Sequence, residues 1–265
     1  MSNDGSVIYA ADNGVATITL NRPDALNAMT NDLMRGITSG IRQVRENKSV
    51  RVVVLTGAGR GFCAGADLSQ VADDSNASEE GENDDAFNTA LREIHSCPVP
   101  TIAKINGAAA GGGFGLALAC DISIAAESAF FVATFGPKLG IVPDMGATWN
   151  IPLRTGRARA LGITLLGERI PAAQAQEWGL IWNVVPDAEL DAEIERVADI
   201  LKRSSPSTVT RIRDTINRAV QNDFSDQLDL EMEHQAVLIP RNMQAGAQAF
   251  MEKREPTFGP ERDEE

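Results

Sequence analysis

The chain has little of the side-chain chemistry that most enzyme classes depend on: two histidines, three cysteines and one tyrosine in 265 residues. Cys63, Cys97 and Cys120 are odd in number, far apart and outside any C-x-x-C or Cys/His spacing. They offer neither a disulfide framework nor a metal site, and a reducing compartment suits them. With only His95 and His234 available as imidazole bases and no G-x-S-x-G elbow, a serine hydrolase has nothing to rest on. We read each histidine as a helix-surface or satisfied core residue. No apolar run approaches the roughly 18 residues of a membrane span, and the opening MSNDGSVIYA has neither a basic leader nor a hydrophobic stretch. We expect a cytoplasmic protein with no membrane partner.

Positive charge is also short, with 24 Lys and Arg against 37 Asp and Glu and a net charge of -13. Nucleic acids and anionic membranes attract basic surfaces, so both are excluded as partners, and an anionic ligand must be met by local donors. The acid gathers partly in two solvated segments, 73–85 and 261–265. An acidic bias is also a general solubility device.

What the chain does have is an ordinary globular composition, 43% apolar and 23% charged, and enough length to bury a large core. Two β-rich runs, 7–10 and 15–20, flank Asp12-Asn13-Gly14 and predict an opening hairpin. Leu33, Met34, Ile37, Ile41 and Val44 recur at helical spacing behind the N-cap candidates 30–32. The continuous apolar run 51–55, ending at Thr56-Gly57, predicts a strand buried on both faces. A helix-compatible stretch to about His95, a strand over 101–105, a helix over 111–120 and a strand over 122–125 follow. Strand, crossover helix, strand implies an α/β fold with parallel pairing. Beyond Asp144 the strand signal is confined to 182–185, and helical patterns run to about Lys253.

Two glycine clusters invite a nucleotide reading and fail it. After Gly57 and Gly59, Phe62 stands where a dinucleotide fingerprint needs its third glycine, and after 111–113 and Gly115, Leu116 does. No P-loop lysine is present. What remains is a pair of small-residue turns, each after a strand: 62–68 and 106–113. Such turns expose backbone N–H groups, and the second opens a helix whose dipole adds positive potential. If the two converge on one oxygen they form an oxyanion hole, where each donor is worth about 3 to 4 kcal/mol. Close helix packing explains the same glycines equally well.

Asn21-Arg22-Pro23 with Leu26-Asn27-Ala28, the run 61–68, the run 106–113 and Cys120-Asp121-Ile122 resemble, in order and spacing, the crotonase (enoyl-CoA hydratase/isomerase) family. The likeness extends over 7–258. It implies a crotonase-like (ClpP/crotonase) α/β spiral of ββα units, here 1–200, with a helical C-terminal trimerisation region, 201–265. It implies an acyl-CoA thioester as substrate, no cofactor beyond that coenzyme A, and a homotrimer or a dimer of trimers. Carried over residue by residue, Ala66 and Gly112 supply the oxyanion N–H groups. Arg22, Ala25, Ala64, Asp67 and Leu68 contact CoA, largely through the backbone, and Phe250 and Lys253 reach a neighbouring subunit's CoA.

Hydratases of this family flank the added water with two glutamates. Here Gly115 takes the first position and Phe135 or Gly136 the second, so the usual acid/base pair for hydration is missing. Asp144 remains. The segment 138–144, with 156–160 and 177–182, resembles the isomerase branch of bacterial phenylacetate degradation, which implies Asp144 as proton shuttle; Ala147 departs from that branch's usual glycine. Burial among Phe135, Ile141, Met145 and Trp149 is expected to raise the Asp144 pKa. The competing expectation is that Asp144 N-caps a helix beginning near Met145. A hydratase with an atypical water site and a non-catalytic CoA-binding scaffold are the alternatives to an isomerase.

Overall fold

The computed structural model describes residues 5–69 and 85–262. The acidic stretch 73–84 and the last three residues of the tail lie outside them. Strands β1 (Val7–Asp12) and β2 (Val15–Leu20) form the expected antiparallel hairpin, with Asp12 opposite Val15. Asn13 and Gly14 both take positive φ, as a two-residue turn between twisted strands requires. β2 then pairs in parallel with β3 (Val52–Gly57), every residue of which is buried. β5 (Thr101–Ile105), β7 (Ile122–Ala126) and β10 (Asn183–Val185) extend this into a six-stranded sheet in the order β1-β2-β3-β5-β7-β10.

A second sheet of four strands escapes the sequence reading. It consists of β4 (Gly61–Cys63), β6 (Ala108–Ala110), β8 (Phe130–Val132) and β9 (Ile170–Pro171), in that order. β6 lies inside one of the segments expected to be turns, and β4 overlaps the start of the other. Strands of two or three residues, made of Gly-Phe-Cys or Ala-Ala-Ala, carry neither alternation nor β-branched enrichment. The chain alternates between the sheets: β3 to β4, β5 to β6 and β7 to β8 each step from the large sheet to the small one. That stepping produces the spiral.

Helices cover the sheets. In α1 (Asn31–Glu46) the Thr30 hydroxyl accepts the Leu33 N–H at 3.2 Å, and Leu33, Met34, Ile37, Ile41 and Val44 are buried. α2 (Ala86–His95) packs beside it. α3 (Gly112–Ala119) is apolar all round and buried throughout its first seven residues, as a helix enclosed on every side must be. Phe114 of α3 meets Phe131 of β8 with ring centroids 5.1 Å apart. α4 (Ala147–Leu166) breaks at Gly156, and α5 (Ala172–Glu177) and α6 (Leu190–Lys202) complete this part.

Beyond Lys202 the described elements are all helical: α7 (Pro206–Arg218), α8 (Phe224–Leu238), one π-helical turn (Ile239–Met243) and α9 (Gln244–Met251). Arg213 ties α7 to the sheets. Its guanidinium bonds both Asp121 carboxylate oxygens at 2.7 Å and the Cys97 carbonyl at 2.6 Å. None of the helices among the described residues is long and apolar enough to cross a membrane.

Candidate active site

The three neighbouring parallel strands β4, β6 and β8 end side by side, with Cys63 opposite Ala109 and Ala110 opposite Val132. The segments leaving these ends carry Ala66, Gly112 and Asp144. A sheet that the sequence did not reveal therefore delivers the three residues that it singled out. The Gly111 N–H bonds the Val132 carbonyl at 2.9 Å and ties the second and third exits together.

The first two turns are in contact. Gly65 has φ +97°, and a Cβ on it would stand 2.9 Å from the Ala110 carbonyl oxygen and 3.4 Å from the Gly112 nitrogen, so only glycine lets them approach this closely. Ala66 bridges Met29 in parallel: the Met29 N–H bonds the Gly65 carbonyl at 2.8 Å, and the Asp67 N–H bonds the Met29 carbonyl at 2.9 Å. This pattern engages the Gly65 carbonyl and the Asp67 N–H and leaves the Ala66 N–H unused. Gly112 is the first residue of α3, where an N–H has no partner within the helix. Among the described residues no protein acceptor pairs with either N–H. Ala66 is exposed and Gly112 buried.

Arg22, Ala25, Ala64, Asp67 and Leu68 cluster around the same turns. The Arg22 guanidinium bonds Asp67 Oδ2 at 2.8 Å and the Ala28 carbonyl at 2.5 Å. The Ala64 N–H bonds the Leu26 carbonyl at 3.0 Å, and Ala25 ends a 3₁₀ turn, Pro23–Ala25. Hydrogen bonds from Ser69 and then from Arg22 hold the Asp67 carboxyl below the ordinary range. Leu68 is exposed.

Sequence reasoning quoted Asn27 only as part of a motif and did not see its task. Wholly buried with φ +57°, it accepts the Arg22 N–H and donates to the Ala58 and Gly61 carbonyls, each at 2.9 Å. No signal in the sequence marks it, because an Asn in a turn serves equally well exposed to solvent. Asn106 acts similarly, donating to the Gly57 and Gly59 carbonyls at 2.9 Å.

Asp144 lies in the loop between a π-helical turn (Phe135–Leu139) and α4. It is not the N-cap: α4 begins at Ala147, Gly146 precedes it with φ +70°, and no side chain caps the helix. The two left-handed residues Met145 and Gly146 turn the chain before the helix can start. Of the apolar residues expected to enclose Asp144, Phe135 and Met145 are buried, whereas Ile141 and Trp149 are 50% and 45% exposed. The Asp144 side chain itself reaches solvent. Partial desolvation nevertheless raises its pKa above the ordinary value, with a backbone hydrogen bond pulling the other way.

Of the two glutamate positions of the hydratase pattern, the first is closed to any side chain, and the second, at Phe135 or Gly136, is tight at Gly136. A Cβ on Gly115 would collide with the Met145 carbonyl oxygen, and one on Gly136 would face the Thr164 carbonyl of α4 at 3.3 Å.

Phe250 and Lys253 are not part of this cluster. They sit at the exposed end of α9, Phe250 at 85% exposure, and among the described residues no hydrogen bond or ion pair joins them to the turns. The histidines are engaged elsewhere. His95 meets Trp149 edge-on at 5.9 Å, and His234 bridges Asp214 at 3.0 Å and Arg211 at 2.9 Å. Among the described residues there is no group of three or more His, Cys, Asp or Glu placed to hold a metal ion.

Comparison with known proteins bears on this arrangement. Residues 10–261 match the family model described as "Enoyl-CoA hydratase/isomerase". The chain is 40% identical to the 1,2-epoxyphenylacetyl-CoA isomerase of Escherichia coli (strain K12), covering 95% of this chain and 97% of that one. It is 38% identical to a probable enoyl-CoA hydratase of Rhodobacter capsulatus, covering 96% and 97%. A crystal structure of an enoyl-CoA hydratase from Polaromonas sp. JS666 superposes with a TM-score of 0.90 at 31% identity, covering 96% of this chain and 100% of that one.

Proposed function

The chain belongs to the enoyl-CoA hydratase/isomerase family, has its crotonase-type fold, and on that premise we propose that it is an acyl-CoA isomerase in which Asp144 shuttles one proton. The Ala66 and Gly112 amides hold the thioester oxygen. Asp144 takes a proton from C2 of a 3-enoyl-CoA, and the C–H electron pair passes into an enolate whose oxygen those amides stabilise. The protonated Asp144 then returns the proton at C4, so that the double bond moves from C3–C4 to C2–C3. One proton and one electron pair move within the substrate, so the reaction calls on no cofactor.

The observation that carries this reading is the joint exit of Ala66, Gly112 and the Asp144 loop from β4, β6 and β8. The raised pKa of Asp144 supports it further, because it makes the carboxylate a stronger base towards the C2 proton. A ring-epoxide phenylacetyl-CoA is the second substrate to try, since the Escherichia coli relative is named for isomerising that thioester. Coenzyme A binding is assigned to the turns bearing Arg22, Ala25, Ala64, Asp67 and Leu68. Phe250 and Lys253 are assigned to the CoA of a neighbouring subunit in a trimer or a dimer of trimers, for which their exposure leaves them free.

The test is to mix the protein with 3-hexenoyl-CoA and follow the absorbance of the conjugated thioester. Turnover is expected in the native chain and loss of turnover in Asp144→Asn; normal turnover by that variant refutes the assigned base. Hydratase names among the relatives favour one rival, a hydratase with an atypical water site, which rapid hydration of crotonyl-CoA would establish.

A further inference from the structure

Met145 adopts φ +52°, a conformation that a residue with a side chain takes only where its surroundings impose it. What imposes it is the first turn of α3. A Cβ on Gly115 would strike the Met145 carbonyl oxygen and stand 2.7 Å from its Cβ and 3.0 Å from its carbonyl carbon. A Cβ on Gly112 would lie 3.0 Å from Met145 Cγ on one side and collide with Met29 Cε on the other. Met145 is 4% exposed, and Gly112 and Gly115 are buried. The Ala147 N–H closes the turn on the Asp144 carbonyl at 2.9 Å. The backbone beside Asp144 thus rests directly on the helix that presents the Gly112 amide.

We propose that Gly115 and Met145 form the positioning and specificity-determining pair of this site: the Met145 main chain occupies the place of a side chain on Gly115, the Met145 side chain packs on Gly112, and together they set where Asp144 stands. The inference rests on the reading of Asp144 as proton shuttle. A carboxylate at position 115 and a correctly seated Asp144 then exclude each other. Hydration needs a second acid/base group beside the water, so the close seating of Met145 on Gly115 selects proton transfer over addition of water. Any side chain at 115 lifts the turn and carries Asp144 with it.

The experiment compares Gly115→Ala, Met145→Gly, Met145→Leu and Asp144→Asn with the native chain on 3-hexenoyl-CoA, and Gly115→Glu on crotonyl-CoA. A displacement on the order of 1 Å costs about 100-fold in rate, and that loss in kcat is expected for Gly115→Ala, with KM little changed. Its acid limb in the pH–rate profile is expected to move towards the ordinary aspartate range, which a purely structural defect would not cause. If Gly115→Ala does not fold, Met145→Gly decides. Glycine accepts the φ without strain, so this variant is expected to fold and lose kcat, while Met145→Leu keeps the filling and restores it. Gly115→Glu is expected to gain no hydration of crotonyl-CoA.

Native kcat and acid limb in both Gly115→Ala and Met145→Gly overturn the proposal, as does efficient hydration by Gly115→Glu. If Asp144→Asn turns over normally, or the native chain does not isomerise the substrate, the reading of Asp144 itself has failed. If Asp144→Asn is inactive while the pair variants are unaffected, only the present inference falls.

Discussion

Replacing Asn27 by alanine tests whether the binding turns are stitched together as described. Asn27 is wholly buried and makes three hydrogen bonds of 2.9 Å, one from the Arg22 amide and two to the carbonyls of Ala58 and Gly61. A net contribution of about 1 kcal/mol each is ordinary, with a larger penalty where the abandoned partner stays buried. Alanine at φ +57° adds about 1 kcal/mol of backbone strain. The expected loss is therefore about 4 kcal/mol in urea denaturation followed by circular dichroism. Asn27→Gly separates the two causes. It loses the same hydrogen bonds without the strain and should recover about 1 kcal/mol. Because Arg22, Ala25 and Ala64 depend on this stitch, both variants should also bind coenzyme A more weakly by isothermal titration calorimetry. A loss below about 1 kcal/mol for Asn27→Ala would refute the reasoning, since a single ordinary hydrogen bond accounts for that much.

Two further outcomes follow from the same geometry. The raised pKa of Asp144 means that the folded state holds its proton more tightly than the unfolded chain, whose ordinary value is 3.8. Its contribution to stability is thus greatest when protonated and declines as pH rises through the window above 3.8, a slope that Asp144→Asn should remove. As a base, Asp144 works only when ionised, so kcat/KM should rise with pH through a midpoint above 3.8; a midpoint at or below that value contradicts the assignment. Arg213→Ala removes both bonds to Asp121, which keeps those from Thr101, and takes the donor from the carbonyls of His95, Cys97 and Val99 beneath α7. A loss of about 3 kcal/mol and faster proteolysis within 206–251 are expected, and a change under about 1 kcal/mol would show that α7 is held by its apolar face instead.

The large sheet was legible because its strands have strong local signals: Asn13-Gly14 for the hairpin, an unbroken apolar run for β3, and a helical stripe from Leu33 to Val44 for α1. The small sheet was not, because β4, β6 and β8 are three residues each and owe their pairing to neighbours distant in sequence. Ala66, Gly112 and Asp144 were singled out by the resemblance of their motifs to the crotonase family, and they lie on the segments that leave β4, β6 and β8. The candidate site was hidden where packing decides it. Nothing in the sequence says that Met145 takes a left-handed backbone against Gly115, or that Asn27 and Asn106 share the carbonyls of one turn. The expectation of an Asp144 N-cap failed for the same reason: Pro143-Asp144 reads as a helix start, but the left-handed pair at 145 and 146 delays the helix to Ala147.

The central claim is that the unpaired amides of Ala66 and Gly112 grip a thioester oxygen beside Asp144. Isotope-edited infrared spectroscopy of a bound acyl-CoA, labelled with ¹³C at the thioester carbonyl, tests it directly. Two hydrogen bonds to that oxygen should lower its stretching frequency below the free-solution value, and the shift should persist in Asp144→Asn, where proton transfer is lost but both amides remain. A bound carbonyl that absorbs at its free-solution frequency would contradict the account.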